Sequence, residues 1–221
     1  MFQSIAATNL TIPSRKNPMQ LSNADDLSDR VLRLEGQNAR LRRSVARLRV
    51  YRTMAYRDPL TGLWNRRYFE ARLKEEFSRA ERAGLGRCFS VVIVDLNGFK
   101  DINDQHGHLA GDELLKWVGR FLTLHLRTHD VACRTGGDEF MLLLPDLSAA
   151  DAVHVVGRIR EALRQANLGR VVPMGLSIGS ASWPEVSTSC DMLLASADVA
   201  MYEDKRAQKT SARQTDYRTA A

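Results

Sequence analysis

The sequence predicts an α/β domain of the α+β type, with a mixed central sheet flanked by helices and a parallel dimeric coiled-coil helix ahead of it. Three observations lead there. A heptad seam runs from Leu27 to Leu48, helix-sized and strand-sized segments alternate after Asn65, and two short strands meet at the tight Gly136-Gly137 turn. A hairpin among helix-connected strands requires both parallel and antiparallel neighbours, so the sheet is mixed.

The seam comes first along the chain. Leu27, Val31, Leu34, Asn38, Leu41, Val45 and Leu48 alternate spacings of four and three, with Leu at every d position and Val, Asn, Val at a. β-Branched a residues with Leu at d favour two parallel strands, and one Asn at a fixes the register. Arg30 at g would face Glu35 at e of a partner, and Gly36 falls at f, facing solvent. A stripe this narrow, flanked by arginines, fits a dimer better than a helix packed on its own domain.

Beyond it, Asn65–Arg82 reads as a helix, Cys88–Leu96 as a buried strand and Leu109–Leu126 as a second amphipathic helix. Val131–Arg134 and Glu139–Leu144 read as short strands on either side of Thr135-Gly136-Gly137-Asp138. Ala149–Ala166 is then helical, Val172–Ala181 a strand and Cys190–Ala207 a closing helix.

Composition narrows the function classes. No apolar run reaches the length of a membrane span, and residues 1–23 lack a signal-peptide core, so they are expected to form a flexible tail and the protein to be cytoplasmic. Cys88, Cys133 and Cys190 are odd in number and have no metal-type spacing, which fits free thiols in a reducing compartment. The net charge is +6, and residues 24–58 hold nine arginines against four aspartates and one glutamate. Those arginines are spread through the seam rather than packed before it, and no aromatic stacking platform accompanies them, which disfavours nucleic acid as a partner.

The chemistry-bearing residues cluster at two places. One strand ends in Val94-Asp95-Leu96-Asn97-Gly98-Phe99-Lys100, and a carboxylate there is costly to bury unless paired or metal-bound. The hairpin Gly136-Gly137-Asp138-Glu139-Phe140 adds two more carboxylates beside glycines that let a ligand approach the backbone. If the strands are neighbours, Asp95 and Asp138 converge on one rim, where hard oxygens beside a phosphate suit Mg²⁺. Alone, an Asp-Glu pair in a hairpin is ordinarily a solvated turn. His106 and His108, two apart on an expected loop, are read as structural.

Together these segments resemble a known family. Arg134-Thr135-Gly136-Gly137-Asp138-Glu139-Phe140 contains the signature of the GGDEF-domain diguanylate cyclase family, and Asp58-Pro59-Leu60-Thr61-Gly62-Leu63-Trp64-Asn65-Arg66-Arg67 is similar to its opening motif. Phe99-Lys100-Asp101-Ile102-Asn103-Asp104, Gly107-His108, Gly111-Asp112 and Ala197-Asp198-Val199-Ala200-Met201-Tyr202 follow in the family's order. The resemblance covers about Asp58 to Lys209 and implies a nucleotidyl-cyclase, palm-like fold. The expected organisation is a tail over 1–23, a coiled-coil dimerisation helix over 24–56, a GGDEF catalytic domain over 57–209 and a flexible tail over 210–221.

The resemblance also implies roles. Asp95, Asp138 and the Leu96 carbonyl would hold Mg²⁺, with Mn²⁺ as a substitute, and Glu139 would be a further ligand or help deprotonate the attacking hydroxyl. Lys100 joins the catalytic set; backbone amides from Gly98 through Phe99 to Lys100 would cradle phosphates, with Gly136 and Gly137 close to substrate. Asn103 and Asp112 would read guanine, with Leu115 against the substrate, and Lys205 and Lys209 would face the β- and γ-phosphates. An ordinary solvated helix end competes for those two lysines.

The implied reaction condenses two GTP into cyclic di-GMP and two pyrophosphates across a homodimer, each domain supplying half of the site. Arg127 and Asp130 form an RxxD element five residues or more ahead of the hairpin glycines, and with Arg158 they match the family's inhibitory product site. Four positions depart from the family's habit: Asn97 replaces a common second Asp, Gln208 a Gly, Lys209 an Arg and Thr135 the bulkier residue that often precedes the signature. The rival readings are a non-catalytic cyclic di-GMP receptor, which the retained Asp138 and Glu139 disfavour, and an ATP-accepting cyclase, which Asp112 disfavours.

Overall fold

The computed structural model describes residues 18–84, 87–168, 173–186 and 189–219, and within these segments the side chains of residues 26–211. The chain divides between Arg52 and Thr53 into two units.

The first unit is helical. Helix α1 spans Pro18–Tyr56, so the tail expected to reach residue 23 is corrected at its end; its first seventeen residues lie outside the described ones. Proline suits a helix's first turn, where its missing N–H would have no partner. Leu27, Val31, Leu34, Leu41, Val45 and Leu48 are between 47% and 66% exposed, which leaves an apolar stripe along this single chain.

The second unit holds a five-stranded sheet in the order β1-β3-β4-β2-β5. Its strands are β1 (Trp64–Asn65), β2 (Phe89–Asn97), β3 (Val131–Gly136), β4 (Glu139–Pro145) and β5 (Gly175–Trp183). Only β1 and β3 pair in parallel; β3 with β4, β4 with β2, and β2 with β5 pair antiparallel. The mixed sheet is therefore as expected. Helices α2 (Arg66–Ala83), α3 (Phe99–His106), α4 (His108–Leu124), α5 (Ala149–Ala166) and α6 (Cys190–Thr219) connect and cover it.

Local chemistry explains the boundaries. Asn65 does not start the first domain helix but caps it, its side chain accepting from the Tyr68 N–H at 3.1 Å. Ser148 and Asp151 close a reciprocal capping box that starts α5 at the expected residue. Gly98 takes the left-handed conformation, with φ of 72°, and turns β2 directly into α3. Helix α3, with eight residues, is too short to announce itself by periodicity. The loop expected around His106 and His108 is a correction: His106 ends α3, His108 begins α4, and Gly107 alone separates them. Strand β5 runs on to Trp183, which pairs with Phe89, while its expected start at Val172 lies outside the described residues. Helix α6 runs past Ala207 to Thr219, correcting the tail expected from residue 210.

Apolar side chains pack on both faces of the sheet. One cluster joins α4 and α5 through Leu115, Val118, Leu122, Val155 and Ile159 to Val92, Val94, Leu142 and Leu144. The other joins α2 and α6 through Phe69, Leu73, Ala197 and Met201 to Val91, Ile93 and Leu143. Strand β2 feeds both clusters with alternate residues, so its run reads as continuously hydrophobic.

Candidate active site

The end of β2 gathers the carboxylates. Asp95 stands opposite Glu139 across β4 and opposite Ser177 across β5. The next amide along, Leu96 N–H, donates to the Asp138 carbonyl at 3.3 Å, tying the hairpin to the strand end. Asp95 is only 7% exposed, and a carboxylate so buried requires a counter-charge. Lys205 of α6 supplies one, its Nζ 2.5 Å from Asp95 Oδ1.

A cavity of about 580 Å³ opens at this end of the sheet. Leu96, Gly98, Phe99, Lys100, Asp138, Lys205 and Lys209 all line it, so the structure brings these seven sequence-nominated residues together. Glu139 is exposed, and neither it nor Gly137 is among the residues lining the cavity. Gly136 lines a different hollow, with Asp58 and Arg134.

The proposed base-reading residues lie apart from that cavity, on α3 and α4. Asn103 Oδ1 is buried without a hydrogen-bond partner, and a Cβ added to Gly111 would fall 2.0 Å from it. Gly111 thus admits Asn103 against the backbone of α4, one residue before half-buried Asp112. Leu115 is 2% exposed and belongs to the core beneath.

Arg127 and Asp130 line a second cavity, of about 370 Å³, together with Arg57 and Trp64. Asp130 accepts from the Arg127 N–H at 2.7 Å, and burial pushes its carboxyl above the ordinary value despite that bond and the Arg127 charge. Arg158 is not among the residues lining it; its Nη2 donates to the His125 carbonyl at 2.6 Å.

Sequence reasoning passed over four contributors. Arg57 lies 3.4 Å from the centre of the Trp64 ring and donates to the Gly62 carbonyl at 2.9 Å. Arg134 bridges Asp58 and the hairpin, and both residues already stood inside quoted motifs. Asp204 accepts from the Ile178 N–H at 2.8 Å and pairs with Arg160 at 3.0 Å, contacts with no signature in spacing.

Among the described residues no cluster of three or more His, Cys, Asp or Glu side chains is poised to hold a metal. Two carboxylates and a backbone carbonyl nonetheless suit Mg²⁺, which keeps waters and takes substrate phosphates as its remaining ligands. Among those residues, too, no helix is long and apolar enough to cross a membrane.

Residues 55–211 match the family model described as diguanylate cyclase, GGDEF domain. Diguanylate cyclase TpbB of Pseudomonas aeruginosa is 35% identical over 193 residues, covering 86% of this chain and 42% of that protein. The chain spans less than half the length of the curated relatives it matches. Among solved structures, the GGDEF domain of the same Pseudomonas protein superposes with a TM-score of 0.62 at 37% identity, covering 68% of this chain and 89% of that one. The coiled coil and GGDEF domain of DgcB from Caulobacter crescentus, in complex with c-di-GMP, gives 0.71 at 27% identity, covering 80% and 94%.

Proposed function

The chain belongs to the GGDEF-domain diguanylate cyclase family, and on that footing we propose that it condenses two GTP molecules into cyclic di-GMP. The observation that carries the reading is the cavity at the end of β2, where Asp138, Lys100, Lys205 and Lys209 line one wall-to-wall space above buried Asp95. Lysines beside carboxylates are what a triphosphate with a divalent cation needs. Mg²⁺, or Mn²⁺ in its place, would be held by Asp95, Asp138 and the Leu96 carbonyl, and would supply charge neutralisation at the reacting phosphate.

In this reading the 3′-oxygen of each GTP attacks the α-phosphorus of the other. The hydroxyl proton leaves, the bond to the β-phosphate bridge breaks, and two pyrophosphates depart. Glu139, opposite Asp95 in the sheet and open to solvent, suits proton removal. Lys205 and Lys209 neutralise the leaving group. Asn103 and Asp112 select guanine, because the Asp carboxylate accepts from donors that adenine lacks.

One domain carries half of this machinery, so a homodimer is part of the proposal. The exposed Leu27–Leu48 stripe of α1 is its natural seam, and proximity of two bound nucleotides removes several kcal/mol of the barrier. Arg127 and Asp130 would bind the product and restrain turnover. GTP is an intracellular substrate, which puts the proposed reaction in the cytoplasm.

The test is purified protein with GTP and Mg²⁺, products resolved by chromatography, beside Asp138→Ala. Cyclic di-GMP from the first and none from the second supports the reading. A dimer by light scattering that binds cyclic di-GMP yet forms none would convert it to a receptor.

A further inference from the structure

Two of the four positions noted above as departures, Asn97 and Gln208, touch each other. Asn97 Nδ2 and Gln208 Oε1 are 2.9 Å apart, and both residues line the β2-end cavity. The direction of this bond is dictated from outside the pair. Gln208 Nε2 lies 3.0 Å from the Leu176 carbonyl and 2.9 Å from Asp204 Oδ2. Both are acceptors without a proton to give, so the amide nitrogen must face them and its two N–H groups are spent. Gln208 can then only accept from residue 97. Asn97 donates, and its own oxygen accepts from the Ser177 hydroxyl at 2.7 Å. The chain of hydrogen bonds from Ser177 through Asn97 and Gln208 to Asp204 therefore runs in one sense only.

We propose that Asn97 and Gln208 form a positioning pair that fixes Lys205 and Lys209 over the triphosphate end of the cavity, and that the pair works only when residue 97 is a donor. Gln208 sits three residues after Lys205 and one before Lys209 on α6, so anchoring it to the end of β2 fixes the turn of helix that carries both lysines, while Asp95 holds the Lys205 ammonium itself. An Asp at position 97 would turn an acceptor toward an acceptor and break the bond to Gln208. The substitution toward the common family residue is thus harmful here, unless position 208 changes with it. The inference rests on the GTP reading above.

The experiment measures the affinity of the full chain for a non-hydrolysable GTP analogue with Mg²⁺, by calorimetry, in Asn97→Asp, Gln208→Gly and the double variant. Asn97→Asp is expected to weaken binding about tenfold, the double variant to stay within about threefold of Gln208→Gly, and guanosine monophosphate to be affected less than the triphosphate. Equal losses in the two backgrounds, or no loss in Asn97→Asp, overturn the pair. A wild-type protein that binds the analogue but makes no cyclic di-GMP sinks the cyclase reading and leaves these affinities to judge the pair. A wild type that binds no GTP analogue overturns both.

Discussion

Arg134 joins the start of the domain to the acidic hairpin: its Nη1 lies 3.3 Å from Asp58 Oδ1, while Nε and Nη2 donate to the Gly137 carbonyl at 3.0 and 2.8 Å. Asp58 in turn accepts from the Thr61 amide and hydroxyl at 2.8 and 2.6 Å. The side chains of this ion pair are 13% and 16% exposed, so solvent screens it only partly.

Arg134→Ala should therefore loosen the hairpin as well as the fold. Loss of charged hydrogen bonds at a half-buried site is worth about 1–3 kcal/mol, and turnover should fall at least about tenfold. Thermal melting and the chromatographic assay read the two effects. A variant with unchanged melting and turnover would remove Arg134 from the account.

Acid should expose the same bond. Burial pushes the Asp58 carboxyl up, but the Thr61 hydrogen bonds and the Arg134 charge outweigh it and hold the group below its ordinary value. A depressed carboxylate contributes stability that is present above the ordinary Asp range and lost as pH falls through its lowered value. Wild type and Asp58→Asn should differ in melting temperature at neutral pH and converge in acid. Parallel curves would contradict the sign.

Two glycines should respond in opposite directions. A Cβ at Gly179 of β5 would fall 2.1 Å from the Met201 nitrogen and 2.3 Å from the Ala197 oxygen, both backbone atoms of α6. Gly179→Ala must force the helix off the sheet, and we expect a loss of several kcal/mol or no soluble protein. Gly157, on the exposed face of α5, has nothing within 4 Å, and its change to Ala should stabilise by about 0.5–1 kcal/mol. Denaturant melts check both.

Gly111→Ala places its methyl group where Asn103 Oδ1 now sits, 2.0 Å away. The obstacle is the far end of a side chain, so the fold should survive while Asn103 is displaced. The expected outcome is KM for GTP raised about tenfold with a near-normal melt. A normal KM would detach Asn103 from base recognition.

Arg127→Ala should relieve inhibition by added cyclic di-GMP while leaving the initial rate intact. Because burial raises the Asp130 carboxyl, product affinity in the wild type should begin to fall at a higher pH than an ordinary Asp would set. Calorimetric titration with cyclic di-GMP at several pH values tests both points; affinity flat down to the ordinary Asp range would remove Asp130.

Much of this was written legibly. The apolar run of β2, the capping box of α5 and the glycine pair of the hairpin each act over a few residues, and each element stands close to where the sequence put it. Motif order carried the nominations of Asp95, Asp138, Lys205 and Lys209, which the fold gathers at one cavity or directly beneath it. What stayed hidden depends on distance along the chain. Residues 97 and 208 meet across 111 positions, and Arg134 reaches Asp58 across 76. No local pattern encodes such pairings, and short α3 and two-residue β1 fall below the length at which periodicity speaks.

The packing of the sheet carries a last consequence. Helix α4, with Asp112, is rooted in one apolar cluster, and α6, with Lys205 and Lys209, in the other on the opposite face. In the proposed binding mode, a GTP molecule gripped by its base from α4 and by its phosphates from α6 would be a rivet through the two halves of the domain. Its binding energy is also cohesion, so a nucleotide-loaded domain should come apart as a single body, and a slip of one half past the other would be felt first as a misplaced phosphate.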